Sequence, residues 1–249
     1  LSLPGVDATV SWVSVVYASI HFHSLVFDQP NLEIRRDSAG RLFIAGMELK
    51  DNESGPDFSD WLLSQREIVI RNASLTWDDE RRAAPRLKFS GVTLALHNAH
   101  DVHRFALRAH TDSELASALD VRGELHGGSF EQIQDWTGRL YAELDYTDLA
   151  AWQRWFDYPL EIHSGKGGVR LWLAFSGKQF TEATADVALA KVSARLARQL
   201  PVLELDYLEG RLGGKQTRDG SGAGFEIFGK KLSLRTGGGV GLPPADFAV

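Results

Sequence analysis

The sequence predicts an all-β protein built as an elongated, strongly curved antiparallel sheet. Apolar residues recur at every second position in many short stretches, the period of a strand whose one face is covered. These stretches follow one another at intervals of roughly 8 to 15 residues, separated by turn signals. Only two stretches show helical spacing. Because parallel strands need long crossover connections, this close spacing favours antiparallel pairing.

The clearest series of elements lies in the first half of the chain. Trp61 and Leu62 share one face of a short amphipathic segment that Asp57 or Ser59 can cap. Ser90-Gly91 interrupts the alternation of a later strand and predicts a bulge. In order, the predicted elements are a helix at 57–65, a strand at 68–77, a return strand at 87–96 and a third strand at 105–109.

Three segments share a pattern in which the first, third, eighth and tenth residues are apolar. They are 25–34, 68–77 and 225–234. A regular strand with this pattern would send its two halves to opposite faces of a sheet. One extra residue in the middle returns all four side chains to one face, so we predict an internal repeat with a bulge in each copy.

The second half of the chain alternates in the same way. Residues 140–146 and 169–175 predict strands, and the helical spacing at 148–157 predicts a second helix capped by Thr147 or Asp148. The glycine-rich stretch 213–224 predicts a flexible hairpin tip. We find no strong boundary and treat residues 1–249 as a single segment of a longer protein.

Several degenerate motifs occur in a fixed order along the chain. They are Trp61-Leu62-Leu63 followed by Arg66-Glu67-Ile68-Val69-Ile70-Arg71, Leu75-x-Trp77-x-Asp79, Trp136-x-Gly138-Arg139-Leu140-Tyr141, Asp148-Leu149-x-x-Trp152 and Leu200-Pro201-x-Leu203-x-Leu205. Together they resemble the amino-terminal region of the YhdP branch of the AsmA-like, TamB-related bacterial envelope proteins. The resemblance implies a repeating, taco-like β-groove in the periplasm that carries phospholipid between the inner and outer membranes.

The same resemblance implies the partners. These are phospholipid acyl chains, the inner membrane through an N-terminal anchor outside this sequence, and the outer membrane through missing C-terminal parts. No run of the chain approaches the roughly 20 apolar residues of a membrane span. A net charge of −6 and the lack of a basic stripe argue against nucleic acid. There are no cysteines, which excludes disulfides and thiol chemistry.

No pattern of residues indicates catalysis. His97, His100 and His103 are spaced for a metal site only if they lie on a helix, and the polar sequence around them predicts a solvated turn. Glu143 and Asp145 alternate with apolar residues, as expected on the wet side of a sheet rather than in a glycosidase cleft. We therefore expect no enzyme activity, no catalytic residues, no metal and no cofactor.

The candidate lipid-binding residues are apolar side chains that share strand faces. If the sheet forms a groove with an apolar concave side, they line it. They are Leu94, Leu96, Phe105, Leu107, Leu140, Ala142, Leu144, Val169, Leu171, Leu173 and Phe175. A closed β-sandwich that recognises glycan or protein shows the same alternation, so it stays open as the alternative.

Overall fold

Strands dominate the structure, a computed structural model that describes residues 5–10, 22–44, 46–49, 58–111, 114–157, 161–219 and 222–249. The predicted all-β class is confirmed. The single α-helix in this part of the chain is α1, Phe58–Ser64. The strands are β1 Gly5–Val10, β2 Phe22–Asp28, β3 Asn31–Arg36, β4 Leu42–Ile44, β5 Met47–Leu49, β6 Glu67–Asp79, β7 Leu87–Ala99, β8 Val102–His110, β9 Leu119–His126, β10 Thr137–Asp148, β11 Glu161–Ser176, β12 Gln179–Arg195, β13 Leu203–Asp219, β14 Gly222–Thr236 and β15 Gly241–Ala248.

The chain forms two compact units. Unit 1 comprises residues 1–112 and 118–138, and unit 2 comprises residues 113–117 and 139–249. Strands β1 to β9 belong to unit 1, and β11 to β15 with nearly all of β10 belong to unit 2. No helix in the described ranges is long and apolar enough to cross a lipid bilayer.

Unit 1 is a mixed sheet in which the predicted antiparallel pairing holds for most strand pairs but not for two of them. Strands β6, β7, β8 and β9 form the expected antiparallel meander. However, β2 and β3 both run parallel to β6. The long connection between β3 and β6, which carries β4, β5 and α1, supplies the crossover that a parallel pair needs.

The two repeat segments of unit 1 lie side by side and in register. Leu25 pairs with Ile68 and Ile34 with Trp77, at one constant offset along both strands. Gln29 and Asn72 occupy equivalent places in the two copies, and both have a left-handed φ of +52°. The predicted parity change is therefore made by two bulges that sit next to each other in the sheet.

The bulges keep apolar side chains on one face. Ile70 and Leu75 lie on opposite sides of Asn72, yet both pack on the same buried cluster of Ala73, Val92 and Ala109. The predicted bulge at Ser90-Gly91 is also confirmed, because Gly91 has a φ of +57° and the β7–β8 register shifts there. In the third copy Lys231, with a φ of +49°, marks the irregularity of β14.

In unit 2 the strands follow one another in the sheet from β10 to β15, and the pairs from β11 to β15 are antiparallel. The predicted hairpin between β13 and β14 is confirmed, but the loop predicted at 213–224 is too long, because β13 and β14 stay paired from Gly213–Phe228 to Asp219–Gly222; residues 220–221 lie outside the described part of the chain. The ring of Phe228 lies over Gly213, so closely that a Cβ there would come within 2.2 Å of it. An aromatic side chain laid on a glycine restores the packing that the glycine lacks, and this lets the strand continue.

The two predicted helices have different outcomes. The helix at 57–65 is confirmed as α1, although Asp57 lies outside the described residues. The helix at 148–157 is only a 3-10 turn, Ala151–Arg154. The Asp148 Oδ1 accepts the Ala151 N–H at 3.2 Å, but the N-cap position of this turn is Ala150, not the predicted Thr147 or Asp148. The Leu149 N–H donates to Gly165 O of β11, which ties the start of this segment to the sheet.

The left-handed bulge predicts a stability effect at Asn72. Asn72→Val should lower the free energy of unfolding by about 1–2 kcal/mol, because a β-branched residue is strained at positive φ. Asn72→Gly should leave the stability nearly unchanged, since glycine adopts this φ freely. The measurement is the urea midpoint. Ala106→Val, at an exposed and regularly paired position of β8, is the control and should be neutral; equal losses at 72 and 106 would contradict the assignment of strain to the bulge.

Candidate functional site

Side-chain contacts between β10 and β11 separate the two faces of unit 2. The Arg170 guanidinium donates to Glu143 at 2.7 Å, and the rings of Tyr141 and Trp172 lie 5.3 Å apart. These four side chains therefore project from one face. Because neighbouring residues of a strand point to opposite faces, the apolar residues between them share the other face. The members of this set are Leu140, Ala142, Leu144, Val169, Leu171, Leu173 and Phe175.

The apolar face of unit 2 continues over the next strands. Leu171 pairs with Ala185 of β12, which in turn pairs with Leu212 of β13. The adjacent row runs from Leu173 through Ala183 and Gly214 to Ile227. Ile227 is 56% exposed, although it is large and apolar. Exposed apolar surface that continues across several strands is typical of a binding surface rather than of a finished core.

The other predicted lipid-binding residues share a face of unit 1. Leu94 pairs with Leu107 and Leu96 with Phe105, so these four side chains form two adjacent rows. The rows extend to β6 through Ile70 and Ile68, which pair with Leu94 and Leu96 respectively. We call these six residues, together with Val121, the partner of Leu107 on β9, the apolar face of unit 1.

Every one of the predicted lipid-binding residues is half-buried. Fully buried apolar residues do occur on the same strands, such as Val92 at 4% and Ala109 at 2% exposure. The faces are thus closed over short stretches and accessible over longer ones. Whether these residues touch lipid stays a prediction.

Sequence reasoning missed several residues of these faces. The missed ones are Ile68, Ile70, Val121, Ala183, Ala185, Leu212 and Ile227. Ile68 and Ile70 carried the repeat pattern and so had a usable signal. Ala183, Ala185 and Gly214 had none, because a small residue does not mark the apolar side of a strand.

The opposite face of unit 2 is charged. Arg211 binds Asp186 through two hydrogen bonds, from Nε at 2.5 Å and from Nη2 at 2.7 Å, and these hold the pKa of the Asp186 carboxyl below its ordinary value. The same guanidinium lies over the Trp172 ring, with 5.2 Å to the centroid. Hydrogen bonding from Arg211 also leaves Asp186 no role as a proton donor near neutral pH, which a glycosidase acid would require.

An open concavity of unit 2 is lined by charged and apolar residues together. Its charged lining includes Arg170, Asp186, Glu209, Arg211, Lys230 and Asp246. Its apolar lining includes Val187 and two of the predicted lipid-binding residues, Leu144 and Val169. Whether the predicted apolar concave side is this surface stays a prediction.

One end of the apolar face of unit 2 is closed by the segment after β10. Leu149 packs on the cluster of Leu189, Val192, Ala194 and Leu205. Beyond it, Trp152 and Trp155 are buried with their ring centroids 5.9 Å apart, and the Trp152 Nε1–H donates to Thr147 Oγ1 at 2.8 Å. This tryptophan pair lies in the segment for which the sequence predicted a helix at 148–157.

The three histidines considered above as metal ligands, His97, His100 and His103, do not come together to form a metal site. His97 lies beside Glu67 at 3.6 Å, and His100 occupies the exposed turn between β7 and β8 with a φ of +56°. The predicted solvated turn is wrong for His103, which is 1% exposed. In the described ranges, no group of three or more histidine, aspartate or glutamate side chains is arranged to hold a metal ion.

Comparison with protein families identifies the family to which this chain belongs. A family model described as "YhdP protein" matches residues 1–249. The chain belongs to the YhdP family. This membership suggests an AsmA-like lipid-transport protein of the cell envelope. A search among curated proteins and a search among solved structures each found no match.

An aspartate substitution should destabilise the protein more at a buried position than at an accessible position of the same strand. Val92→Asp should lower the free energy of unfolding by several kcal/mol, because it buries a carboxylate without a partner. Leu94→Asp, two residues along the same face, should cost about 1 kcal/mol, because water reaches this position. Urea unfolding measures both values. Equal, large losses at the two positions would mean that the face is a closed core.

Proposed function

We propose that this chain is a segment of a periplasmic conduit that carries phospholipid between the inner and outer membranes along apolar sheet faces, and so supports the barrier of the outer membrane. Membership of the YhdP family supports the lipid-transport class. The observation that carries the proposal is the set of accessible apolar rows in each unit, backed by a charged opposite face in unit 2.

The physical case rests on the cost of exposing acyl chains to water. A phospholipid carries about 30 methylene groups, and each costs about 0.8 kcal/mol to expose. Spontaneous crossing of an aqueous space is therefore very slow. A face of leucine, valine and phenylalanine side chains that shelters the acyl chains while the headgroup stays wet offsets most of this cost.

Transport also requires that no position hold the lipid tightly. The apolar faces offer rows of similar side chains, such as Leu171–Ala185–Leu212, and no polar anchor among them. A lipid sliding along such rows exchanges one set of dispersion contacts for an equivalent set. A segment that works in this way needs no catalytic residue, cofactor, metal or nucleic-acid partner.

The location and the attachments belong to the same proposal. We place the full-length protein in the periplasm, anchored in the inner membrane by an N-terminal segment and reaching the outer membrane through C-terminal parts. The acidic balance of the chain and the absence of cysteines are compatible with that compartment.

A closed β-sandwich that binds glycan or protein is the competing hypothesis. A sandwich buries the inner faces of two sheets against each other. Intermediate exposure at all of the predicted positions, together with 56% exposure of Ile227, favours an open face instead.

Site-specific photo-crosslinking separates the two functions. A benzophenone amino acid at Leu171, in the full-length protein within the bacterial envelope, should capture phospholipid, because this side chain lies on the apolar face of unit 2. The matched control is Arg170, the preceding residue, which points to the charged face and should capture no lipid. Mass spectrometry of the adducts gives the readout.

Two results would count against the conduit. One is an adduct at Leu171 that contains only protein from the same chain, as a packed core requires. The other is equal lipid capture at 170 and 171, which would indicate passive contact with membrane. Either result must come from protein that is folded, as judged by resistance to proteolysis.

A further inference from the structure

One end of the unit 1 sheet is rich in arginine. The parallel strands β3 and β6 end side by side, at Arg36 and Asp79. These strand ends and the turns that follow them, residues 35–41 and 78–86, contain six arginines and four carboxylates, although the whole chain has a net charge of −6. We call the six arginines the arginine cluster. Its members are Arg35, Arg36, Arg41, Arg81, Arg82 and Arg86.

Two carboxylates lie beneath the guanidinium groups and hold them. The side chain of Asp79 is fully buried; it accepts a hydrogen bond from Arg36 Nε at 2.9 Å and another from the backbone N–H of Arg82 at 3.3 Å. Asp37 is also buried and accepts from Arg41 Nε at 2.7 Å, whereas Arg41 itself is exposed. In both pairs the carboxylate is the inner member and the guanidinium the outer one.

The outer layer of this end of the sheet is therefore cationic. The side chain of Arg86 is 63% exposed, whereas that of its ion-pair partner Asp78 is 15% exposed. Of the four carboxylates in these segments only Glu80 is exposed, and it binds Arg35 at 2.9 Å. Arg81 is exposed and makes no ion pair with the described part of the chain. Positive charge thus faces the solvent, and most of the balancing negative charge lies behind it.

Aromatic rings support two of the guanidinium groups. The guanidinium carbon of Arg35 lies 4.3 Å from the centroid of the Phe43 ring, and that of Arg36 lies 5.8 Å from the centroid of the Trp77 ring. A guanidinium held by a carboxylate and a ring loses little freedom when it binds a further group. Because it has five N–H donors, one ion pair also leaves donors for a second acceptor.

A set of outward guanidinium groups on a fixed support suits an array of phosphate groups. Guanidinium binds phosphate through two parallel hydrogen bonds, and the attraction to an anionic membrane grows with each arginine close to it. We propose that the arginine cluster docks on an anionic lipid surface and that the headgroup phosphates are its ligands. The docking rests on the proposed periplasmic location, which puts the chain between two lipid surfaces, and is independent of the cargo on the apolar faces.

The width of the arginine cluster favours a lipid surface over an acidic peptide. Its members come from β3, from the residue before β4, from the 3-10 turn Glu80–Arg82 after β6 and from the residue before β7. These strands are neighbours in the order β7-β6-β3-β4. Neighbouring strands lie about 4.8 Å apart, so the arginine cluster spans about 14 Å. A lipid surface offers phosphates in every direction over that width, whereas a peptide must match the arginine spacing with its own carboxylates.

Co-sedimentation of the intact chain with lipid vesicles measures the docking. The chain should bind vesicles of phosphatidylcholine with one third phosphatidylglycerol more tightly than vesicles of phosphatidylcholine alone. Arg81→Gln should weaken binding to the anionic vesicles about fivefold, the usual contribution of one arginine at such a surface. Arg81→Gln combined with Arg86→Gln should weaken it about 25-fold. Because Arg81 makes no ion pair with the described residues, the single variant should keep the urea midpoint of the parent and remains a test if the double variant does not fold.

The matched control removes the same charge from unit 2. Lys178→Gln combined with Arg198→Gln changes two exposed cations and should leave the affinity nearly unchanged. An equal loss in this control, or equal binding of the parent to both kinds of vesicle, would overturn the proposal. Arginine-dependent binding to immobilised polyglutamate, as tight as to the anionic vesicles, would overturn it in favour of an acidic protein partner. The preference between vesicles is read without crosslinking at Leu171, so the docking and the lipid conduit can fail separately.

Discussion

The structure depends on how its long strands keep their apolar side chains on one face of the sheet. A strand of 13 to 17 residues, such as β6 or β12, must keep its apolar side chains on one face while its backbone alternates. Left-handed residues resolve the conflict. Gln29, Asn72 and Lys231 each add one residue to the ladder and so reset the alternation. Without these positions, half of each repeat segment would point its apolar side chains at the opposite face of the sheet.

Residue patterns predicted most of the architecture because the pattern and the packing have the same cause. The bulges of the repeats were visible as a change of parity, and Ser90-Gly91 was visible as a break in alternation. The parallel pairing of β2 and β3 with β6 was not visible, because alternation has no direction. The loop predicted at 213–224 failed because the sequence does not show that Phe228 covers Gly213.

The candidate faces were predicted unevenly, and His103 was misjudged. A large apolar residue such as Leu171 indicates which face of the sheet is apolar. Ala183 and Gly214 fit either face, and only the strand register shows which face they belong to. His103 was placed in a solvated turn because the nearby Asn98 and Asp101 are polar. In the structure it contacts Asn98, Gly127 and Trp136, and residues 127 and 136 are too far along the chain for a local pattern to show this.

The parallel, in-register arrangement of the two repeat segments has an evolutionary consequence. When a copied segment pairs beside its original in the same direction, each residue meets its own counterpart, as Leu25 meets Ile68 and Ile34 meets Trp77. Even the irregular positions Gln29 and Asn72 fall side by side. A tandem duplication would thus extend every apolar row by one strand at once, with no need for compensating substitutions. A chain with this property can grow wider by copying itself, and selection then has only to adjust the connections.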